Sequence, residues 1–222
     1  MQEKGGAWKT PFTINASSFA VSRGIEHEIV DCDVRATMML QTFPKARILN
    51  VDERALEAGT SDLALLLDLL HQGRNLIVDT GANTRRCFNF FFEITRFGDR
   101  IRGGEFRCNI FCPVMPQSGF DRASHFFFNT LQKECPWANI VQVRIRDSLT
   151  YDPAAYPEHN PESTIVFPFI PLGIRKSLSA AALTLDQALQ QKVFGDPIQR
   201  ELVDSYKRDL YTQLSERATI LF

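Results

Sequence analysis

The chain has 222 residues, 25 Lys and Arg against 26 Asp and Glu, and a hydrophobic fraction of 44%. That length can bury one sizeable core, and a net charge of -1 excludes the global basicity of a protein that coats nucleic acid. No apolar run approaches the roughly 20 residues that span a bilayer, and the N-terminus does not read as a secretory leader.

In chain order, the first informative stretch is Lys4-Gly5-Gly6-Ala7-Trp8-Lys9-Thr10. Small residues let backbone N–H groups turn inward around phosphate oxygens, and the helix that follows adds its positive end. In such a loop Lys9 reaches the terminal phosphates and the Thr10 hydroxyl ligates Mg²⁺. Residues Pro11 to Arg23 follow as a helix with Phe12, Ala16, Phe19 and Arg23 on one face, stopped by Gly24. His27 to Asp33 reads as a buried strand ending in two acids, Asp31 and Asp33. Asn75 to Gly81 repeats the pattern with Asp79 at its end. In a parallel α/β sheet ligands bind beyond the C-terminal strand ends, so loop and acids are expected at one edge.

Between and after these, Arg47 to Val51 reads as a short strand. A helix capped by Thr60 or Ser61 carries Leu63, Leu66, Leu67 and Leu70 on one face and stops at Gly73. Thr84 to Phe97 reads as a helix, Arg107 to Val114 as a strand. A capping box at Ser118 to Asp121 opens a helix to Glu134. Asn139 to Ile145 and Thr164 to Ile170 read as strands. The proline-rich stretch from Asp147 to Ser163 reads as a mobile loop over the nucleotide edge. Leu178 to Val193 reads as one helix. Asp196-Pro197 starts a last one with Ile198, Leu202, Tyr206, Leu210 and Leu214 along one side. The alternation predicts one domain, residues 1–222, of α/β class: a mainly parallel sheet with helices on both faces.

The five cysteines, Cys32, Cys87, Cys108, Cys112 and Cys135, are an odd number, expected as reduced thiols in a cytoplasmic protein. Cys108 and Cys112 lie four apart on a strand, about 13 Å, too far to share one ion. The phenylalanine clusters Phe88 to Phe92 and Phe126 to Phe128 read first as helix core, with a dimer or partner surface as the sharper alternative. His125 reads as a core or interface residue.

Lys4 to Thr10 resembles the deviant Walker A motif of the ParA/MinD class of P-loop ATPases. Asp31-Cys32-Asp33 resembles their second acidic motif and Ile77-Val78-Asp79-Thr80 their Walker B. Asp79 to Asn83 and Leu183 to Leu189 look closest to the plasmid TraL/StbB-like branch. The resemblance implies an ATP- and Mg²⁺-dependent dimerisation switch in plasmid partition, stability or conjugative transfer. It implies Gly5, Gly6, Ala7, Trp8, Lys9 and Thr10 around the nucleotide, and Thr10, Asp31 and Asp79 around the metal. It further implies that Asp33 orients the attacking water and that Lys4 reaches a partner's nucleotide across a homodimer. Two features depart from the family. Trp8 stands where the family has glycine, and a bulky side chain does not freely adopt positive φ, so the indole either points out of the loop or occludes it. Only Met1-Gln2-Glu3 precede the loop where the family has an apolar strand, so the sheet is expected with its first strand missing or truncated.

Two other functions stand beside the switch. One is a non-hydrolysing adaptor with a degenerate loop that works through its phenylalanine surfaces. The other is a DNA-binding dimer using Arg200, Lys207, Arg208 and Arg217 for non-specific phosphate contacts, diluted by Glu201, Asp204, Asp209 and Glu216. Arg146 and the Pro168 to Pro171 stretch are the candidates for base contact.

Overall fold

A helix buried on nearly every side opens the structure, a computed structural model that describes residues 8–33, 38–51, 53–81, 84–116, 122–146 and 152–217. This helix, α1 (Lys9–Ser22), is buried without interruption from Phe12 to Ala20. Its small polar side chains survive burial because each finds a partner: Asn15 donates to the Pro11 carbonyl, Ser17 bonds His27 and Ser18 donates to Asp186. The predicted one-sided face is therefore only part of what it buries. Its end is set by Gly24 at φ 69°, with the Ile25 N–H reaching back to the Ala20 carbonyl. That left-handed closing turn suits glycine.

The strands form two fully parallel three-stranded sheets rather than one continuous sheet among the described residues. In the first, β1 (Glu28–Asp31) lies between β2 (Arg47–Ile48) and β3 (Leu76–Asp79). The β1–β3 register runs from Glu28 opposite Leu76 to Asp31 opposite Asp79, so two acids end neighbouring strands side by side. In the second sheet β5 (Asn139–Ile145) lies between β4 (Asn109–Val114) and β6 (Thr164–Phe167). Two cores pack on the strands, and the first takes residues from both sheets: Val30 of β1 with Val114 of β4 and Ile140 of β5. Val30, Leu49, Leu66, Phe88, Phe91, Val114, Phe127 and Phe128 belong to one; Phe12, Phe19, Val141, Ile145, Phe167, Tyr206, Leu210 and Leu214 belong to the other. The α/β class and parallel strands are as predicted; β5 has the predicted bounds, and the other strands are shorter.

The remaining helices are α2 (Met38–Thr42), α3 (Glu53–Glu57), α4 (Leu63–His71), α5 (Arg85–Ile94), α6 (Phe97–Arg102), α7 (Arg122–Glu134), α8 (Leu172–Ala181), α9 (Leu185–Gln190) and α10 (Pro197–Glu216). Several expectations are corrected. The cap of α4 is Asp62, whose side chain makes no capping bond, not Thr60 or Ser61. The predicted helix over 84–97 breaks at Arg96, φ 49°, so that α6 begins separately. The helix predicted over 178–193 also breaks, at Ala182 with φ 50°, and restarts at Thr184. There the Thr184 hydroxyl accepts from the Gln187 N–H while the Gln187 side chain accepts from the Thr184 N–H. On α10 the buried stripe is Val203, Tyr206, Leu210 and Leu214, while Ile198 and Leu202 are exposed. A strict every-fourth-residue row drifts about 40° per step around a helix, so it cannot stay on one packed face for five turns. The capping box predicted at 118–121 lies outside the described residues.

The described part of the predicted mobile loop is bound along β5 as far as its last residue, Ile145. Residues 152–163 pack back along β5: Tyr156 donates its hydroxyl to the Ile145 carbonyl, Gln142 donates to the Pro157 carbonyl, and His159 bonds the Ile140 carbonyl. Parallel β5 and β6 need a crossover, and this extended segment supplies it.

Candidate functional site

The first turn of α1 joins the two halves of the molecule at their strand ends. The Thr10 hydroxyl donates to Asp79 Oδ2 at 2.6 Å, a contact between residues 69 apart in sequence. Thr13, one turn on, reaches Asp79 Oδ1 at 3.4 Å. Trp8 turns toward the second sheet, its ring edge-on to Phe167 with centroids 5.7 Å apart. Phe12 packs on Phe111 and Phe167. The start of α1 thus has an acidic flank and an aromatic flank.

On the acidic flank, Asp31 and Asp79 are each only 2% exposed. Asp31 Oδ1 accepts the Asp33 N–H at 2.9 Å, a tight turn that directs the chain after β1 across the strand end. Close beside it runs the turn after β3. A Cβ on Gly81 would stand 3.0 Å from the Cys32 carbonyl oxygen and 3.3 Å from Asp33 Cα, so glycine lets the two turns approach. The Thr84 hydroxyl donates to the Gly81 carbonyl and closes the second turn.

The charges are strongly coupled. Burial pushes the Asp31 carboxyl up to about 6, and the neighbouring charges of Asp79 and Asp33 add to the rise, against the Asp33 N–H bond. Burial also raises Asp79, opposed by the Thr10 hydroxyl and the Lys9 ammonium. Lys9 is lowered by burial in spite of attraction from Asp79 and Asp33. A partly buried ammonium is therefore held within reach of two carboxylates, Asp33 and Asp79, while Asp31 lies next to Asp79.

Among the described residues no three His, Cys, Asp or Glu side chains form a metal cage. The oxygen donors present suit a hard cation that takes only one or two carboxylates and completes its shell with water and phosphate oxygens, which is the habit of Mg²⁺. Thr10, Asp31 and Asp79 supply the hydroxyl and carboxylate oxygens for that arrangement, and the register of β1 and β3 places the two acids together.

Of the residues predicted to bind nucleotide, Trp8, Lys9 and Thr10 are at this edge. Lys4, Gly5, Gly6 and Ala7 lie outside the described residues. Trp8 has φ 61° and ψ 8°, the left-handed conformation expected of a glycine there. Its indole is held by Phe167 and by Arg175, whose guanidinium carbon sits 4.7 Å from the ring centroid. A bulky residue at positive φ persists only when its surroundings fix it, and these two contacts do so.

No protein-family model, curated protein or solved structure matches the chain.

Thr13, Phe167 and Arg175 were missed by sequence reasoning. Thr13 follows Thr10 by one turn of a helix already recognised, so that signal was present. Arg175 and Phe167 belong to no motif and depend on tertiary packing. A cleft of about 800 Å³ lies at the opposite edge, lined by Gly24, His27, Glu28, Gly73 and Arg74 among others. Of its two acids, Glu26 and Glu28, Glu28 pairs with Arg74 at 2.6 Å and Arg47 at 3.5 Å. Of the four basic residues predicted to contact DNA, three are compensated: Lys207 pairs with Asp186, Arg208 with Asp204 and Arg217 with Glu216, while Arg200 donates to the Phe194 carbonyl. This gives the DNA reading little free charge on α10.

Proposed function

We propose that this chain binds a magnesium–nucleoside triphosphate, ATP by its resemblance to the ParA/MinD class, and that hydrolysis controls its self-association. The observation that carries the reading is the Thr10–Asp79 hydrogen bond of 2.6 Å. It joins the residue of the phosphate-loop word that would ligate the metal to the strand-end acid that would support it. The P-loop NTPase fold and the TraL/StbB-like role in plasmid partition or conjugation belong to the same proposal.

The roles follow from charge. Phosphoryl transfer depends mainly on positioning and electrostatic stabilisation. Lys9 neutralises phosphate charge from the first turn of α1, at the positive end of the helix. Thr10, Asp31 and Asp79 would hold Mg²⁺, which when bound offsets phosphate charge. Asp33, on the turn just beyond Asp31, orients water for attack. Lys4 acts on a partner's nucleotide in a homodimer. The adaptor alternative rests on Trp8 and on the exposed Phe90 and Phe126. The indole's engagement with Phe167 and Arg175 favours the nucleotide reading over an occluded loop.

Sedimentation with and without MgATP tests the switch. Asp33→Ala should accumulate as an ATP-dependent dimer with slowed hydrolysis, while the parent cycles between dimer and monomer. A chain that stays monomeric with MgATP in both the parent and Asp33→Ala would remove the switch and leave the adaptor.

A further inference from the structure

The acidic flank alone is a poor host for a polyphosphate. One ammonium, Lys9, faces the charges of Asp33 and Asp79, Asp31 lies next to Asp79, and Asp31 and Asp79 are buried. A triphosphate brings several negative charges, and one bound dication offsets only part of the total. A further cation is needed on the other side of the helix start.

Arg175 stands there. It lies on the first turn of α8, which begins after Phe167-Pro168-Phe169-Ile170-Pro171 and so rises from the C-terminal end of β6. Its guanidinium covers the Trp8 ring at 4.7 Å. A guanidinium stacked on an aromatic face keeps its planar N–H edge for hydrogen bonds, and that edge matches phosphate geometry. The edge is open: Arg175 Nε is buried with no hydrogen-bond partner, and no acid among the described residues forms an ion pair with this side chain. A buried donor without a partner is costly, and an arriving anion removes that cost. The group is also fixed before a ligand arrives, because the stack and the Phe167 contact hold Trp8 in its left-handed turn next to Lys9.

We propose that Arg175, carried on Trp8, is a second phosphate-binding group of the site and receives the phosphates nearest the nucleoside. The proposal rests on the nucleotide reading above. It assigns direction as well: the terminal phosphate and metal lie toward Asp79, and the nucleoside lies toward β5 and β6. Trp8 is then a platform for the guanidinium.

Calorimetric titration with MgATP and with magnesium tripolyphosphate tests this, using the parent, Arg175→Met and Arg175→Lys. Methionine keeps an apolar stem over the indole and removes the charge; lysine restores charge without the planar stack. Arg175→Met should lose about tenfold in affinity for both ligands, the usual scale for one charged hydrogen-bonding group. Arg175→Lys should recover part of the loss, and the gap between parent and Arg175→Met should narrow as salt is raised. Melting curves of the ligand-free variants should match the parent, because the methionine stem keeps Trp8 covered. If the parent binds both ligands and Arg175→Met binds them equally well, this assignment is overturned and the nucleotide site stands. If the parent binds neither, both fall together.

Discussion

Position 8 shows how a single residue carries opposing terms. The left-handed turn at Trp8 costs an ordinary L-residue about 1–2 kcal/mol, while the indole gains contacts with Phe167, Arg175 and the second core. An aromatic ring with that much buried contact outweighs the strain. Substitution by glycine removes both terms, and substitution by alanine removes only the contacts. Both variants should be less stable than the parent, and Trp8→Gly should exceed Trp8→Ala by about 1 kcal/mol in denaturant unfolding. An alanine variant as stable as the glycine variant would contradict the left-handed turn. The glycine requirement at this position was legible in the sequence. What replaced it was not, because Phe167 and Arg175 lie more than 150 residues away and follow no spacing rule. Thr10, Asp31 and Asp79 were legible because strand-end acids and a phosphate-loop threonine have fixed positions in a parallel sheet.

Among the elements, α1 is held by a polar clamp rather than by an apolar face alone. Asp186, at the start of α9, accepts from Ser18 of α1 and Tyr211 of α10 at 2.6 Å each, and pairs with Lys207. Burial alone would raise its carboxyl, but the bonds from Lys207, Ser18 and Tyr211 outweigh it and hold the group below its ordinary value. A carboxyl held low in the folded state contributes stability above its unfolded pKa, and that contribution is lost as pH falls through the lower folded value. Asp186→Ala should therefore cost about 2 kcal/mol at pH 7, and the difference from the parent should shrink below about pH 4 as the parent's carboxyl takes its proton. An unchanged difference down to pH 2 would show that packing, not charge, holds the clamp. The clamp explains why element reading partly failed nearby. Helix periodicity continued through Ala182 because its apolar pattern does not break, whereas the Thr184–Gln187 box that restarts the helix is a local signal and was available. The pairing of Ser18 with Asp186 and of Thr13 with Asp79, which helps α1 be buried all round, was invisible to an amphipathic pattern, since both acids lie on distant elements.

At the scale of the molecule, the two sheets share one core, in which Val30 of β1 packs with Cys112 and Val114 of β4, and the first turn of α1 contacts the last strand residues of both, Asp79 and Phe167. Class and parallel strand direction followed from alternating apolar strands and helices. The division into two sheets did not, because strand patterns mark which segments pair but not where hydrogen bonding stops. The crossover along β5 likewise came from tertiary bonds at Tyr156, Gln142 and His159, which a proline-rich composition conceals. The first turn of α1 and the strand-end acid Asp79 meet at one place. The direct measurement is calorimetric binding of MgATP to the parent and to Lys9→Ala. The account predicts saturable binding by the parent and a loss of about 100-fold in Lys9→Ala, the upper range for one charged group in contact with phosphate. Equal affinity in the two proteins, or no binding by the parent, would contradict it.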